Sequence, residues 1–236
     1  MRVRSVALLL PVAMLLALFL TPKEIPYDGA GIAFLGDSIT LGMLASSRSN
    51  TFVSLVTQGL DRRGVDEKAR LFISVEPDRD LSAASQAMKK DRHIVVIEFG
   101  VHATVDEQIS PDEFRQIYTD LLDCVVGGEE IVVAGTVPWL GWAPDDVVYS
   151  RAELFSQIIA EEAAKRQVAV ADLWAATKLR TDLISTPQGY AFLGSHHGDG
   201  FHPGDAGHAV IAQVYEKALS GELANPPRRP YQRGCY

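Results

Sequence analysis

Apolar residues along this chain fall into short unbroken runs, separated by longer stretches in which they recur every three or four positions. The runs Ile32 to Leu35, Arg70 to Val75, His93 to Phe99, Glu130 to Thr136 and Val168 to Leu173 are rich in Val, Ile and Leu and predict five strands with both faces covered. The periodic stretches Thr40 to Arg63, Leu81 to Lys90, Pro111 to Val126, Val147 to Arg166 and Pro203 to Ser220 predict amphipathic helices. Ser110 before Pro111 is a suitable N-cap ahead of proline at the first helical position. Strand and helix alternate without an internal repeat, the pattern of an α/β domain whose mainly parallel sheet has helices on both faces. Ligands of such sheets gather outside the carboxyl ends of the strands. The two longer connections, Val137 to Asp146 and Thr181 to Gly200, are therefore candidate pocket walls.

The 236 residues suit one cored domain, here 30–221, with a leader and a tail. Arg2 and Arg4 precede an uncharged run from Ser5 to Leu20, so residues 1–22 read as a signal peptide or a signal anchor. The run is interrupted by Pro11 and is short beside the about 20 residues of a spanning helix. Either form directs the chain out of the cytoplasm, secreted or held at a membrane by its N-terminus. A net charge of -8 and the lack of a sustained basic run argue against nucleic acid as a partner. Arg228, Arg229 and Arg233 lie among prolines in the tail, 222–236, which reads as extended and solvated. Cys124 has the setting of a buried packing residue on a helix, with a disulfide to Cys235 as the alternative.

Chemistry concentrates at two distant places. The first strand runs into Gly36-Asp37-Ser38-Ile39-Thr40, where a serine stands between a strand end and a helix start. Ser38 is a candidate nucleophile there; alternatively, Asp37 or Ser38 simply caps the helix. Far along the chain, Asp199-Gly200-Phe201-His202-Pro203 precedes the last helix. A serine hydroxyl needs a base to take its proton and a carboxylate to orient that base, the roles open to His202 and Asp199. His196, His197 and His208 add ring nitrogens nearby, but their spacing matches no well-defined zinc motif, so neither a metal nor another cofactor is called for. Trp139 and Trp142, flanked by proline and glycine, are candidate substrate-binding surfaces, whereas Trp174 follows a strand and suits the core.

On its Gly36-Asp37-Ser38 and Asp199-Gly200-Phe201-His202 blocks, and on the continuation Pro203-Gly204-Asp205-Ala206-Gly207-His208, the chain resembles the SGNH, or GDSL, hydrolase family. The resemblance implies a flavodoxin-like three-layer α/β/α sandwich. It also implies Ser38 as nucleophile, His202 as base and Asp199 as orienting acid in the hydrolysis of carboxylic esters. The family's oxyanion hole joins the amide of the nucleophilic serine to a glycine amide after strand two and an asparagine side chain after strand three. Here His102 stands in the asparagine position, and no glycine occurs between Gly64 and Gly100, which leaves the backbone of Arg79 or Asp80 as the nearest donor. A neutral histidine can donate one hydrogen bond to an oxyanion. Small-molecule, glycan or lipid esters are the expected substrates, O-acetylated cell-envelope glycans among them. An acyltransferase using the same serine, or a noncatalytic glycan-binding scaffold, stays open as the alternative.

Overall fold

The computed structural model describes residues 31–61, 68–73, 92–127, 131–178 and 202–224. The leader 1–22, the expected helix Leu81 to Lys90, the Arg79-Asp80 segment, the whole connection Thr181 to Gly200, and the tail beyond Ala224 lie outside them.

Strands β1 (Gly31–Gly36), β2 (Lys68–Ile73), β3 (Arg92–Glu98), β4 (Ile131–Gly135) and β5 (Ala169–Ala171) make one sheet in the order β2-β1-β3-β4-β5. Every pairing is parallel. Strand order reverses between β1 and β3, so the carboxyl ends of these two neighbours flank the crevice where doubly wound sheets take their ligands. The residues of β4 are all buried, which explains why this strand reads as an unbroken Val/Ile run instead of an alternation.

Short helices α1 (Ser38–Leu41), α3 (Val101–Val105) and α6 (Leu173–Thr177) follow strands, and longer ones form the outer layers: α2 (Phe52–Asp61), α4 (Pro111–Val125), α5 (Val147–Lys165) and α7 (Asp205–Ala224). Helix α7 packs on α2, and α4 packs on α5; α7 and α5 both lie on β4 and β5, yet the two are not packed on each other. They therefore cover opposite faces, which makes the three layers. Phe34, Phe52 and Tyr215 fill one side of the sheet, and Phe99, Phe114, Tyr118 and Phe155 stack on the other. Across α4 and α5, burial opposes ionisation of Glu162. Hydrogen bonds from Lys165, Arg115 and Arg166 nevertheless hold its carboxyl down to about 2.

Three expectations are corrected. Thr40 to Arg63 is not one helix: α1 ends at Gly42 in the left-handed region (φ 86), Leu44 is also left-handed (φ 62), and a single 3-10 turn at Arg48–Asn50 leads into α2. Ser46, Ser47, Ser49 and Asn50 favour local side-chain bonding over a helix interior. Strand five stops at Ala171, because the Asp172 carboxylate accepts from Ala175 N (2.9 Å) and caps α6. Cys124 is buried on α4 but is disulfide-bonded and not a free packing thiol; Cys235 lies outside the described residues.

Candidate active site

The serine turn is built by close approach. β1 delivers Gly36 directly opposite Glu98 of β3, and a Cβ on Gly36 would sit 2.2 Å from the Glu98 carbonyl oxygen and 2.1 Å from Thr40 Oγ1. Only glycine lets the strand end lie so near its neighbour. Asp37 then caps α1, its Oδ1 accepting from Ile39 N at 3.0 Å. Ser38 is therefore the first residue of the helix, where a backbone amide has no intrahelical acceptor. The Gly42 N–H donates back to Ile39 and Ser38 carbonyls and closes the turn after four residues.

His202 reaches this turn from the other end of the chain. Its Nε2 lies 2.7 Å from Ser38 Oγ, a contact spanning 164 positions of sequence. His202 is 8 % exposed and Ser38 is half-buried. A hydroxyl at that distance can give its proton to an unprotonated imidazole nitrogen. Ser38 and His202 are thus brought together; Asp199, the expected orienting acid, lies outside the described residues, as do His196 and His197.

Two residues whose partners the sequence did not announce hold the base beside the nucleophile. Asp205, the first residue of α7, accepts from Ser46 N (2.7 Å), Ser46 Oγ (2.5 Å) and Asn50 Nδ2 (2.9 Å). These hydrogen bonds, the Ser46 hydroxyl's first among them, keep its carboxyl below the usual range. One turn on, fully buried His208 accepts from Phe52 N on Nδ1 (3.3 Å) and faces Met43 O with Nε2 (3.3 Å). A carbonyl only accepts, so the proton must be on Nε2 and the ring is neutral. Burial lowers its pKa further from the ordinary value. Both residues tie the loop after Ser38 to the helix that follows His202. Asp205 had the signal of an acidic residue at a helix start, but its partners were 159 and 155 positions away.

His102 is the second residue of α3 and exposed, and a positive charge on it would favour the Asp37 carboxylate. α3 is anchored by Arg151, whose guanidinium donates to the carbonyls of Ala103, Thr104, Asp106 and Ile109 at 2.8–2.9 Å. Trp139 is corrected from pocket wall to core: it is 3 % exposed, and its indole N–H donates to Trp142 O at 2.8 Å. Trp142 is half-buried against the same core, and Trp174 packs edge-on to Tyr149. Beneath the serine, Asp37 and Glu98 place two carboxyl groups in the interior, 4 % and 1 % exposed. Burial pushes both upward, Glu98 well above the carboxylate range, with the neighbouring Asp37 charge adding to the effect. Among the described residues no group of three His, Cys, Asp or Glu side chains could hold a metal ion, and no helix is long and apolar enough to cross a membrane.

Comparison with known proteins agrees with this geometry. No curated protein matches the chain by sequence. Among solved structures, an α/β hydrolase enzyme from the metagenome of Lake Arreo, Spain, superposes with a TM-score of 0.61 at 22% identity, over 81% of this chain and 95% of that one. An acetylxylan esterase from Geobacillus stearothermophilus gives 0.61 at 19%, over 84% and 96%. A lipase/acylhydrolase from Enterococcus faecalis gives 0.58 at 21%, over 85% and 98%. At these identities the likeness is one of fold. The model of the GDSL-like lipase/acylhydrolase family matches residues 34–210, from within β1 into α7 and so across both the Ser38 turn and His202. With three quarters of its length under that match, the chain belongs to the GDSL-like lipase/acylhydrolase family and is an ester-bond hydrolase.

Proposed function

We propose that the protein is a serine esterase that cleaves carboxylic esters through an acyl-enzyme formed on Ser38. The observation that carries this reading is the 2.7 Å contact between Ser38 Oγ and His202 Nε2. As Oγ attacks the ester carbonyl, its proton passes to Nε2, and the carbonyl electrons move onto oxygen. When that tetrahedral adduct collapses, the alkoxide leaves with the proton held by His202, and the acyl group stays on Ser38. Water then repeats the sequence, giving its proton to His202 and releasing the carboxylic acid. In this reading Asp199 orients the imidazole. The Ser38 amide, His102 and a backbone amide at Arg79 or Asp80 receive the oxyanion. Losing one such donor costs on the order of 10² to 10³ in rate.

Membership of the family and the export-like leader together favour an extracytoplasmic ester, an O-acetylated glycan or a lipid. The similar folds include both an acetylxylan esterase and a lipase/acylhydrolase, in keeping with either class of ester. The test is incubation of the full chain and Ser38→Ala with short-chain aryl esters, acetylated xylo-oligosaccharides and a serine-directed phosphonate. Turnover and single-site labelling that vanish in the variant are expected. Equal background rates in the two proteins would overturn the assignment.

A further inference from the structure

Asp37 and Glu98 raise a question that the Ser38–His202 pair does not answer. Glu98 ends β3 directly opposite Gly36, one residue before Asp37. Thr40 Oγ1 donates to Glu98 Oε2 at 3.1 Å, while buried Oε1 receives no donor. Asp37 Oδ1 is occupied by the Ile39 amide. Asp37, the residue after Gly36, and Glu98 therefore stand as neighbours at the ends of two paired strands, both with buried carboxyl groups. A hydrogen bond between two carboxyl groups requires a proton on one of them, and two adjacent carboxylates away from water cannot both ionise.

The surroundings decide which group holds the proton. Asp37 has a backbone donor, and any positive charge on His202 from the α7 side or on His102 from α3 stabilises its carboxylate. Glu98 instead faces the Asp37 charge with Thr40 its one donor in the turn; the buried hydroxyl of Tyr215 on α7 donates to Ile97 O, and that of Tyr118 on α4 has no partner among the described residues. An oxygen with no donor is where a carboxylic proton belongs.

We propose that Glu98 is a neutral carboxylic acid whose Oε1 proton is donated to the Asp37 carboxylate, and that this shared proton positions the Ser38 turn. With Ile39 N on one side and Glu98 on the other, the Asp37 carboxylate is fixed as the cap of a helix only four residues long. Thr40 closes the loop by bonding Glu98 from within the same helix. The pair carries one negative charge instead of two, so less charge opposes the oxyanion that forms at the neighbouring residue. Glu98 is a positioning residue here, acting through Asp37. Its effect on rate rests on the reading of Ser38 as nucleophile, whereas the shared proton does not.

The test is a carboxyl-carbon NMR titration of the full chain labelled at Glu side chains, followed by phosphonate labelling rates. One Glu signal should remain in the protonated range through neutral pH and be absent from Glu98→Gln; a set of Glu signals that all titrate at ordinary acidic midpoints overturns the proposal. Glu98→Gln keeps a donor toward Asp37 and should label within about threefold of the parent, with a flatter alkaline limb. Glu98→Leu, lacking any donor, should label on the order of tenfold to a hundredfold more slowly. Equal rates in the two variants overturn the positioning role. Should Glu98→Leu not fold, the titration and the pH profile of Glu98→Gln still decide. Absence of labelling in the parent would strike at the Ser38 assignment and leave the NMR result standing.

Discussion

Replacing Gly36 by alanine tests whether the serine turn depends on close approach. Gly36 does not lie in the left-handed region, so an added Cβ is excluded by its surroundings and not by backbone torsion. That Cβ would stand 2.2 Å from the Glu98 carbonyl and 2.1 Å from Thr40 Oγ1, against a normal carbon–oxygen contact about 1 Å longer. The hydroxyl can rotate, but the carbonyl belongs to the strand paired with Gly36 and moves only if β1 and β3 part. Overpacking of this kind costs about 1–3 kcal/mol, and loss of the buried Thr40–Glu98 bond adds about 0.5–1.5 kcal/mol. A total of about 2–4 kcal/mol is smaller than the usual stability of a domain, so Gly36→Ala should fold and melt about 4–16 °C lower. A displacement of Ser38 by about 1 Å should also slow phosphonate labelling on the order of 10²-fold. Urea unfolding monitored by far-UV circular dichroism gives the first number, and stopped labelling followed by intact mass gives the second. Adding Thr40→Ala removes the hydroxyl contact but not the carbonyl, so the double variant should recover little. Melting within about 1 °C of the parent, or full recovery in the double variant, would refute the reasoning.

Asp205→Ala should remove three hydrogen bonds to Ser46 and Asn50 and lower stability by about 1–3 kcal/mol, discounted because the site is partly exposed, while Asp205→Asn should keep part of this; thermal melts of both compare them. His208 predicts an acid limb: its folded pKa lies below the ordinary 6.5, chiefly through burial, with Asp205 opposing and His202 reinforcing the shift. The folded state therefore binds fewer protons than the unfolded chain in that window, so its stability is complete above about pH 6.5 and is lost as pH falls toward the folded value. Urea midpoints from pH 7.5 to 5 should fall for the parent and fall less for His208→Gln.

The sheet was legible because parallel strands buried on both faces leave unbroken apolar runs, and β1 and β4 fall where Ile32 to Leu35 and Glu130 to Thr136 place them within a residue or so. The Thr40 to Arg63 stretch misled because Leu41 and Leu44 keep a helical spacing, yet Gly42 and Leu44 turn left-handed so that the chain can carry Ser46 and Asn50 to Asp205. Trp139, between Pro138 and Gly141, has the local composition of a surface loop. Its burial follows from Thr177, whose Oγ1 accepts from Trp139 N at 2.7 Å, and from the indole bond to Trp142, neither of which has a local signature. His202 and Ser38 were recognisable as chemistry at each end; the clamps between them were not, since spacing along a chain does not say which loop will face which helix. Glu98 is the sharpest case: within the predicted strand His93 to Phe99 it carries no sign of a role at the site, and the register that sets it opposite Gly36 brings it beside the serine turn.

The site's position at the reversal of strand order explains why so many of its determinants are long-range. β1 supplies Ser38 and β3 supplies Glu98 and α3, as neighbours in the sheet, while His202 must arrive from outside the strand pair at the start of α7. A base carried on a separate element has no sheet pairing to fix its distance from the nucleophile. Asp205 and His208, three and six residues beyond His202, supply that missing fixation by bonding to Ser46, Asn50, Phe52 and Met43, all in the segment that leaves Ser38. The ionic cluster of Glu162 with Arg115, Lys165 and Arg166 is just as thoroughly bonded, but it joins α4 to α5, helices that hold neither Ser38 nor His202. Polar bonding therefore divides by consequence in this fold: around Glu162 it supports stability alone, and along the seam between the Ser38 loop and α7 it sets the distance across which the proton must move.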